Sequence, residues 1–519
     1  MNSRSSHAPL ALGLLAVVAL AACSSPANDP DEPPRQEMPP ESTPAPDATE
    51  GVPAELAEFY TQTLQWEDCG DQYQCSSLTV PLNYEEPEGD TIDVALLRVP
   101  AASGEAGGSL VVNPGGPGAS GMEYARNAHV VATEEVLEQF DIVGFDPRGV
   151  GASTPIDCVD DAELDEYLSG QASAETDEQL AELEATAEEF AQACDARSGD
   201  MLAHIGTADV ARDMDVLRSA LGDEKLNYLG KSYGTFIGAA YADLFPERAG
   251  RLVLDGAIDP ALEADEVALG QARGFERALE AFLEWCLDND CPLGESQEEA
   301  RAALTDLLAE IDDEPLPSGD ESRPLTTSLA FYGIILPLYS PANEGYPVLS
   351  AALELAVEDG DGSVLLQLAD FYLARNPDGA YDGNQNEAIV AVNCVDRPAR
   401  EIGEDTASVE DFEEASPVFG RFMAWAGLTC AAWPAASEFE PAQITGAGAD
   451  PILVVGTTGD PATPYEWAEA LAERLESGVL LTYDAFVHTA YLSGSDCVDD
   501  AVDSYLIGGT VPEEGLVCT

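Results

Sequence analysis

The sequence predicts an α/β protein built on a mostly parallel sheet that is flanked by helices. The prediction rests on short apolar segments that alternate with helical stretches along the chain. Strands are expected at 109–112, 140–145 and 226–229, and each runs directly into a loop with glycine or polar residues. In sheets of this class, ligands bind beyond the carboxyl ends of the strands, so these loops are the first place to look for chemistry.

The strand at 226–229 runs into the pentapeptide GKSYG at 230–234, and a helix rich in small residues follows. A serine between two glycines in this strand–turn–helix setting is typical of the nucleophile elbow of α/β-hydrolases. The glycines are needed because side chains at these positions would meet the neighbouring strand and helix. We therefore predict Ser232 as a nucleophile, and the alternative is a serine that only caps the helix.

Histidines are few enough for a catalytic base to be assigned by position. The chain has four, and only His488 lies after Ser232, as the order nucleophile, acid, histidine requires. An acid between them would fix the imidazole tautomer and stabilise its charged form. Asp460, in a short loop after the apolar strand at 451–456, is the predicted acid. Asp255, at the end of another strand, is the alternative.

The loop NPGGPG at 113–118 predicts an oxyanion hole, because glycines let the backbone approach a substrate. We expect the backbone N–H groups of Gly116 and Tyr233 to be the two donors. A phosphate-binding loop is the alternative, but its G-x-G-x-x-G spacing and its lysine are missing. Cysteines and histidines do not alternate at zinc-ligand spacing, so neither a metal nor a cofactor is expected.

Between residues 257 and 385 the strand pattern lapses, and apolar residues recur at helical spacing. We interpret this segment as a helical cap inserted into a hydrolase core that comprises residues 56–256 and 386–519. Since the cap lies between nucleophile and acid, we expect it to cover the active site and to limit substrate size. The expected helices are 275–285, 299–311, 326–338 and 349–357.

The first 22 residues predict an export signal, with an apolar run at 8–22 that is too short for a membrane span of about 20 residues. The run ends in LAAC, which is similar to a bacterial lipobox whose Cys23 receives the lipid. An ordinary signal peptide is the alternative. Residues 23–55, rich in proline and acids, are expected to form a disordered tether. The protein is thus expected on the outer face of the cell membrane, or released from it.

The ten cysteines other than Cys23 form an even number, as in exported proteins with disulfides. Sequence alone does not fix their connectivity, and the simplest prediction pairs neighbours along the chain. These pairs are Cys69–Cys75, Cys158–Cys194, Cys286–Cys291, Cys394–Cys430 and Cys497–Cys518.

The charge balance is strongly acidic, with 98 Asp and Glu against 21 Lys and Arg and a net charge of −77 over 519 residues. Nucleic acid is excluded as the main partner, because phosphate binding needs clustered cations. Salt near 1 M shortens the screening length from about 8 Å to about 3 Å and so weakens repulsion between surface acids. Our hypothesis is that the protein works in high salt, and the alternative is an ordinary acidic surface.

Together these motifs resemble the proline iminopeptidase-like α/β-hydrolases, in particular the secreted tripeptidyl aminopeptidases of Gram-positive bacteria. The resemblance covers about residues 56–519. Pro114 and Val487 depart from the pattern of the proline iminopeptidases, which often have histidine and glycine there, and this disfavours release of single prolines. The matching segments are 113–118, 141–153, 230–234, 245–248, 254–256, 460–464 and His488.

The resemblance implies a serine exopeptidase that acts through an acyl-enzyme and releases short peptides, tripeptides in particular, from free N-termini. Such an enzyme needs a carboxylate for the α-ammonium group of its peptide substrate. Glu387 and Asp396, where the chain re-enters the core, are the candidates. An esterase or lipase on the same fold is the alternative, followed by a non-catalytic peptide-binding lipoprotein. A monomer is the default expectation.

Overall fold

The computed structural model describes residues 42–519 except 71, 172, 399–407, 438 and 514. The predicted signal peptide, Cys23 and the first part of the predicted tether lie outside the described residues. Within the described part, no helix has both the length and the apolar character that a membrane crossing requires.

A ten-stranded sheet forms the centre of the described chain. Its strands are β1 (Glu67–Asp68), β2 (Gln74–Pro81), β3 (Thr91–Val99), β4 (Ser109–Asn113), β5 (Asp141–Phe145), β6 (Leu226–Lys231), β7 (Ala249–Asp255), β8 (Ile452–Thr457), β9 (Gly478–Tyr483) and β10 (Val517–Cys518). Their order is β1-β2-β3-β5-β4-β6-β7-β8-β9-β10. The first three neighbouring pairs are antiparallel, and every pair from β5-β4 onward is parallel. The predicted fold class is confirmed.

Helices connect the strands and cover the sheet. They are α1 (Ala57–Tyr60), α2 (Gly121–Arg126), α3 (Ala128–Val131), α4 (Glu134–Gln139), α5 (Asp161–Ser169), α6 (Asp177–Ser198), α7 (Thr207–Leu221), α8 (Tyr233–Leu244), α9 (Ala264–Asp288), α10 (Gln297–Asp313), α11 (Thr327–Leu338), α12 (Ala342–Glu354), α13 (Ser363–Tyr372), α14 (Gln385–Asp396), α15 (Val409–Ala415), α16 (Gly420–Met423), α17 (Leu428–Ala431), α18 (Tyr465–Arg474) and α19 (Asp496–Gly508).

The central strands are apolar along their whole length because both faces of the sheet are covered. Every residue of β4, β5 and β8 is buried. In β4, Leu110 and Val112 belong to one core with residues of α2, α3, α4 and α19. Val111 between them belongs to the other core, with residues of α7, α8 and α18. This alternation leaves the loops at the strand ends as the accessible part of the sheet.

The chain between β7 and β8 carries α9 to α17, and its described residues contribute no strand to the sheet. Four of these helices, α9 to α12, overlap the predicted ones, while α13 was not predicted. Helical structure continues past residue 385, and α15 and α16 pack against α9. The predicted domain boundaries at 257 and 385 therefore stay predictions.

Residues 42–55 pack against the folded body, although the sequence predicts that they belong to a disordered tether. Ala45 donates its N–H to the carbonyl of Ser219 in α7 at 2.9 Å, and Ala45 and Ala48 are both buried. Their small side chains let the backbone lie close to the helix and use its last carbonyl groups. The tether prediction is wrong for this part of the chain.

All five predicted cysteine pairs are disulfide-bonded. Cys158–Cys194 ties the loop after β5 to α6, and Cys394–Cys430 ties α14 to α17. Each bridge joins neighbouring cysteines, so pairing by order along the chain succeeds. These two bridges thus restrain the loop after β5 and the helix α14.

Candidate active site

Ser232 stands in a sharp turn between β6 and α8, with φ 53° and ψ −122°. This left-handed conformation is unfavourable for serine and is characteristic of a nucleophile elbow. A Cβ atom on Gly230 would lie 2.4 Å from the carbonyl oxygen of Gly234, which explains the glycines. The Ser232 N–H donates to the carbonyl of Asp255 at 2.9 Å, so the turn is held against the end of β7.

Asp460 and His488 form a close pair. The His488 Nδ1 lies 2.8 Å and 3.0 Å from the two carboxylate oxygens of Asp460, which is fully buried. The same carboxylate accepts backbone N–H groups from Ala462, Thr463 and Thr489 at 2.8–3.1 Å. Since a carboxylate only accepts hydrogen bonds, Nδ1 carries the proton and Nε2 is left as a base.

The three predicted catalytic residues each follow a parallel strand at the same edge of the sheet. Ser232 follows β6, Asp460 follows β8 and His488 follows β9, and all three are parallel strands. A Cβ atom on Gly256, which follows β7, would lie 3.5 Å from Cε1 of His488. The imidazole therefore lies over the strand that pairs with β6, next to the turn of Ser232.

The predicted oxyanion loop packs directly on the elbow. A Cβ atom on Gly115 would lie 2.5 Å from the carbonyl oxygen of Lys231 and 3.0 Å from the backbone nitrogen of Tyr233. Gly115 and Gly116 have φ values of 98° and 107°, a region that favours glycine. Gly115 already donates its N–H to the side chain of Asn113 at 2.9 Å. Gly115 is therefore not the donor, and the N–H of Gly116 stays the predicted one.

Tyr233, the other predicted oxyanion donor, has a free backbone N–H because it begins α8. Its hydroxyl lies 2.6 Å from Oγ1 of Thr207, which itself lies 2.6 Å from the carboxylate of Asp396. Asp396 is buried and also accepts the Thr207 N–H at 2.8 Å. Burial raises the pKa of Asp396 to about 6. This carboxyl supports the residue after the nucleophile, and amine binding by it stays a prediction.

Glu387 is likewise buried and bonded to the chain. It accepts the backbone N–H groups of Cys158 and Val159 at 2.8 Å and 3.0 Å, and burial raises its pKa. Its helix α14 contacts the oxyanion loop, since a Cβ atom on Gly118 would lie 2.8 Å from Cβ of Ala388. Glu387 is thus next in the chain to the residue that contacts the loop. Its predicted role in amine binding is untested.

Relatives of known sequence assign this site to a family. Serine protease Hip1 of Mycobacterium tuberculosis is 41% identical over 459 residues, which cover 86% of this chain and 87% of that protein. Residues 416–518 match the family model described as TAP-like protein. The chain belongs to the tripeptidyl aminopeptidase-like family of α/β-hydrolases. The family predicted from the motifs is therefore confirmed.

Two further relatives match this chain over a similar length. The tripeptidyl aminopeptidase of Streptomyces lividans is 33% identical over 478 residues, 88% of this chain and 86% of that protein. Carboxylesterase B of M. tuberculosis is 37% identical over 453 residues, 86% of each. All three relatives thus match 86% or more of this chain.

Sequence reasoning missed the contacts that surround the imidazole. Asp255, the alternative acid, accepts the backbone N–H groups of Ala490 and Tyr491 and not the imidazole. Tyr339, which follows α11, accepts the backbone N–H of His488 at 3.0 Å. No spacing in the sequence indicates either contact, because each joins residues that are far apart in the chain. Among the described residues, no group of three His, Cys, Asp or Glu could hold a metal ion.

Proposed function

We propose that this protein is a serine exopeptidase that releases short peptides, tripeptides in particular, from the free N-termini of peptides. The observation that carries the proposal is the Asp460–His488 pair, held by three backbone N–H groups beside the elbow of Ser232. A peptidase rather than a binding protein is proposed because a binder has no use for this arrangement. The relative named tripeptidyl aminopeptidase supports the choice of substrate.

The chemistry would proceed by acyl transfer. His488 Nε2 takes the proton of Ser232 Oγ while that oxygen attacks the scissile carbonyl. The N–H groups of Gly116 and Tyr233 stabilise the developing oxyanion, and removal of one such donor typically costs about 10²- to 10³-fold in kcat. His488 then protonates the leaving amine. In the second half of the reaction His488 takes a proton from water, which attacks the acyl-enzyme and releases the acyl group from Ser232. No metal ion takes part in these steps.

The helical segment 257–385 is proposed as the cap that limits substrate size. Its Tyr339 contacts His488 through the backbone, which supports a position at the rim of the site. The α-ammonium group of the substrate would bind a carboxylate at a fixed distance from Ser232. Both candidates lie on α14, and we favour Glu387 because its neighbour Ala388 contacts the loop that carries Gly116.

We also propose that the protein is exported and tethered through Cys23. The five disulfides support an oxidising compartment, since such bonds are rare in the cytosol. The LAAC sequence supports lipid attachment at the outer face of the cell membrane. Mass spectrometry of the protein isolated from its membrane tests this, and an unmodified mature N-terminus downstream of Cys23 contradicts it.

An esterase is the second candidate, and the relative named carboxylesterase B favours it. A serine, aspartate and histidine do not by themselves distinguish an amide from an ester, because fold and triad serve both reactions. The two candidates differ in what must hold the substrate: a peptidase of this kind needs a free amine, and an esterase does not.

One comparison of substrates tests both candidates. The mature protein without lipid, in molar NaCl, is assayed on a tripeptide-aminocoumarin with a free N-terminus, on its N-acetyl form and on a short p-nitrophenyl ester. Ser232→Ala is the blank. Cleavage of the free tripeptide with little cleavage of the acetylated form supports the exopeptidase. Ester cleavage without peptide cleavage supports the esterase and overturns the peptidase.

A further inference from the structure

Lys231 and Asp255 lie opposite each other at the ends of β6 and β7, next to the loop that follows His488. The Lys231 Nζ lies 3.6 Å from the carboxylate of Asp255. The Asp255 side chain is fully buried, and the Lys231 side chain is 14% exposed. A buried carboxylate is costly without a partner, so this ion pair explains a charged residue at the end of a core strand.

The pair holds three consecutive residues of the loop. The Asp255 carboxylate accepts the N–H groups of Ala490 and Tyr491 at 2.8 Å and 3.0 Å. Lys231 Nζ donates to the carbonyl of Tyr491 at 2.8 Å and, over a longer 3.4 Å, to Oγ1 of Thr489. The anion thus binds the N–H groups and the cation binds the carbonyl of the same short segment.

This segment needs external support. Thr489 and Leu492 have φ values of 66° and 64°, a left-handed conformation that side chains other than glycine rarely adopt. Such strain persists only where the surrounding structure determines the backbone. Thr489 also follows His488 directly, so any relaxation of the loop would move the imidazole.

We propose that Lys231 and Asp255 are positioning residues that set the orientation of the His488 imidazole toward Ser232. The proposal rests on the catalytic roles proposed above for His488 and Ser232. Asp460 fixes one ring nitrogen, and the pair fixes the backbone on which the ring is carried. Asp255 also holds the nucleophile, because its backbone carbonyl accepts the Ser232 N–H at 2.9 Å. Asp255 therefore contacts both the backbone of the nucleophile and the loop that follows the base.

The composition offers a matched control. The chain has only two lysines, and the second, Lys225, pairs with Asp450 at the surface, where their side chains are 44% and 58% exposed. Lys225→Met therefore removes the same charge and the same kind of ion pair far from the imidazole. Lys231→Met removes the pair beside it, and Lys231→Arg restores a cation with several donors.

The readout is the rate at which a fluorophosphonate modifies Ser232, which depends on the base but not on peptide recognition. We expect Lys231→Met to slow this reaction and to lower kcat on the tripeptide roughly 10- to 100-fold with KM little changed, since small misplacements in a site have effects of this size. Lys225→Met should react like the wild type, and Lys231→Arg should recover part of the rate.

A wild-type rate in Lys231→Met overturns the proposal, and so does an equal loss in Lys225→Met. Circular dichroism and melting curves establish that the variants are folded. Should Lys231→Met fail to fold, Lys231→Gln, which keeps a donor but loses the charge, is compared with Lys225→Gln, and equal rates again overturn the proposal. A wild-type protein that does not react at all contradicts the proposed serine mechanism instead.

Discussion

The carbonyl of Tyr339 accepts the backbone N–H of His488 at 3.0 Å, and the two rings meet edge-on with centroids 5.1 Å apart. Tyr339 follows α11, in the segment proposed as a cap. Its ring lies 6.0 Å from that of Tyr372, whose ring stacks on Tyr332 at 5.3 Å. The imidazole is therefore in contact with an aromatic cluster of the helical segment. A movement of that segment would displace the imidazole.

Tyr339→Leu tests this link, because it removes the ring but keeps the backbone hydrogen bond. Edge-to-face ring contacts contribute about 0.5–1.5 kcal/mol, so we expect kcat/KM on the free tripeptide to fall about 2- to 12-fold. Tyr339→Phe, which keeps the ring and loses only the hydroxyl, is the control and should fall less. Equal effects of the two substitutions would assign the role to the Tyr339 hydroxyl instead of the ring.

Asp396 predicts a dependence of stability on pH. Burial raises its pKa from an ordinary 3.8 to about 6, so the folded state holds this proton more tightly than the unfolded state. The contribution of the carboxyl to stability is then highest below about pH 4 and falls as pH rises toward 6. Asp396→Asn cannot lose a proton and should lack this fall, which amounts to about 1–3 kcal/mol.

Urea unfolding at pH 4 and pH 7, in one fixed salt concentration, measures the effect. The free energy of unfolding of the wild type relative to Asp396→Asn should decrease between the two values. Glu184→Gln, at an exposed position on α6, is the control and should show little change in the same comparison. If the difference in free energy of unfolding between wild type and Asp396→Asn is the same at both pH values, the raised pKa of Asp396 in the folded state is contradicted.

The high-salt hypothesis makes a separate prediction about melting. With a net charge of −77, repulsion between surface carboxylates should destabilise the folded state at low ionic strength. We expect Tm to rise by several degrees between 0.1 M and 2 M NaCl, because the shorter screening length weakens this repulsion. Scanning calorimetry on the mature protein measures it, and an unchanged Tm would favour an ordinary acidic surface.

The sequence predicted those parts of the site that depend on local pattern. The elbow of Ser232 follows from two glycines around a serine, and His488 follows from the small number of histidines. The acid is less clearly indicated, because Asp255 ends one core strand and Asp460 lies in the loop just after another. Only the three-dimensional structure separates them, since one carboxylate meets the imidazole and the other meets the backbone beyond it.

Contacts between distant segments could not be predicted in this way. Tyr339 and Lys231 contact the loop of His488 through the packing of separate elements, and no periodicity encodes such a meeting. Position at the re-entry into the core makes Glu387 and Asp396 candidates for amine binding, but both accept backbone N–H groups of this chain. With 98 acids in the sequence, composition alone cannot choose among them.

Two glycines with similar backbones separate conformational strain from contact with the elbow. Gly115 and Gly104 have φ values of 98° and 76°, but a Cβ atom on Gly115 would lie 2.5 Å from the Lys231 carbonyl, whereas one on Gly104 would meet nothing within 4 Å. Gly115→Ala must therefore displace the oxyanion loop or the elbow. Loss of one oxyanion donor lowers kcat about 10²- to 10³-fold, and we expect a loss of this order.

Gly104→Ala carries a comparable backbone strain at an exposed turn, so it should lose some stability and keep its kcat. Steady-state kinetics on the free tripeptide, with melting curves for both variants, measures the contrast, and equal kcat values would show that the loop is not part of the oxyanion hole.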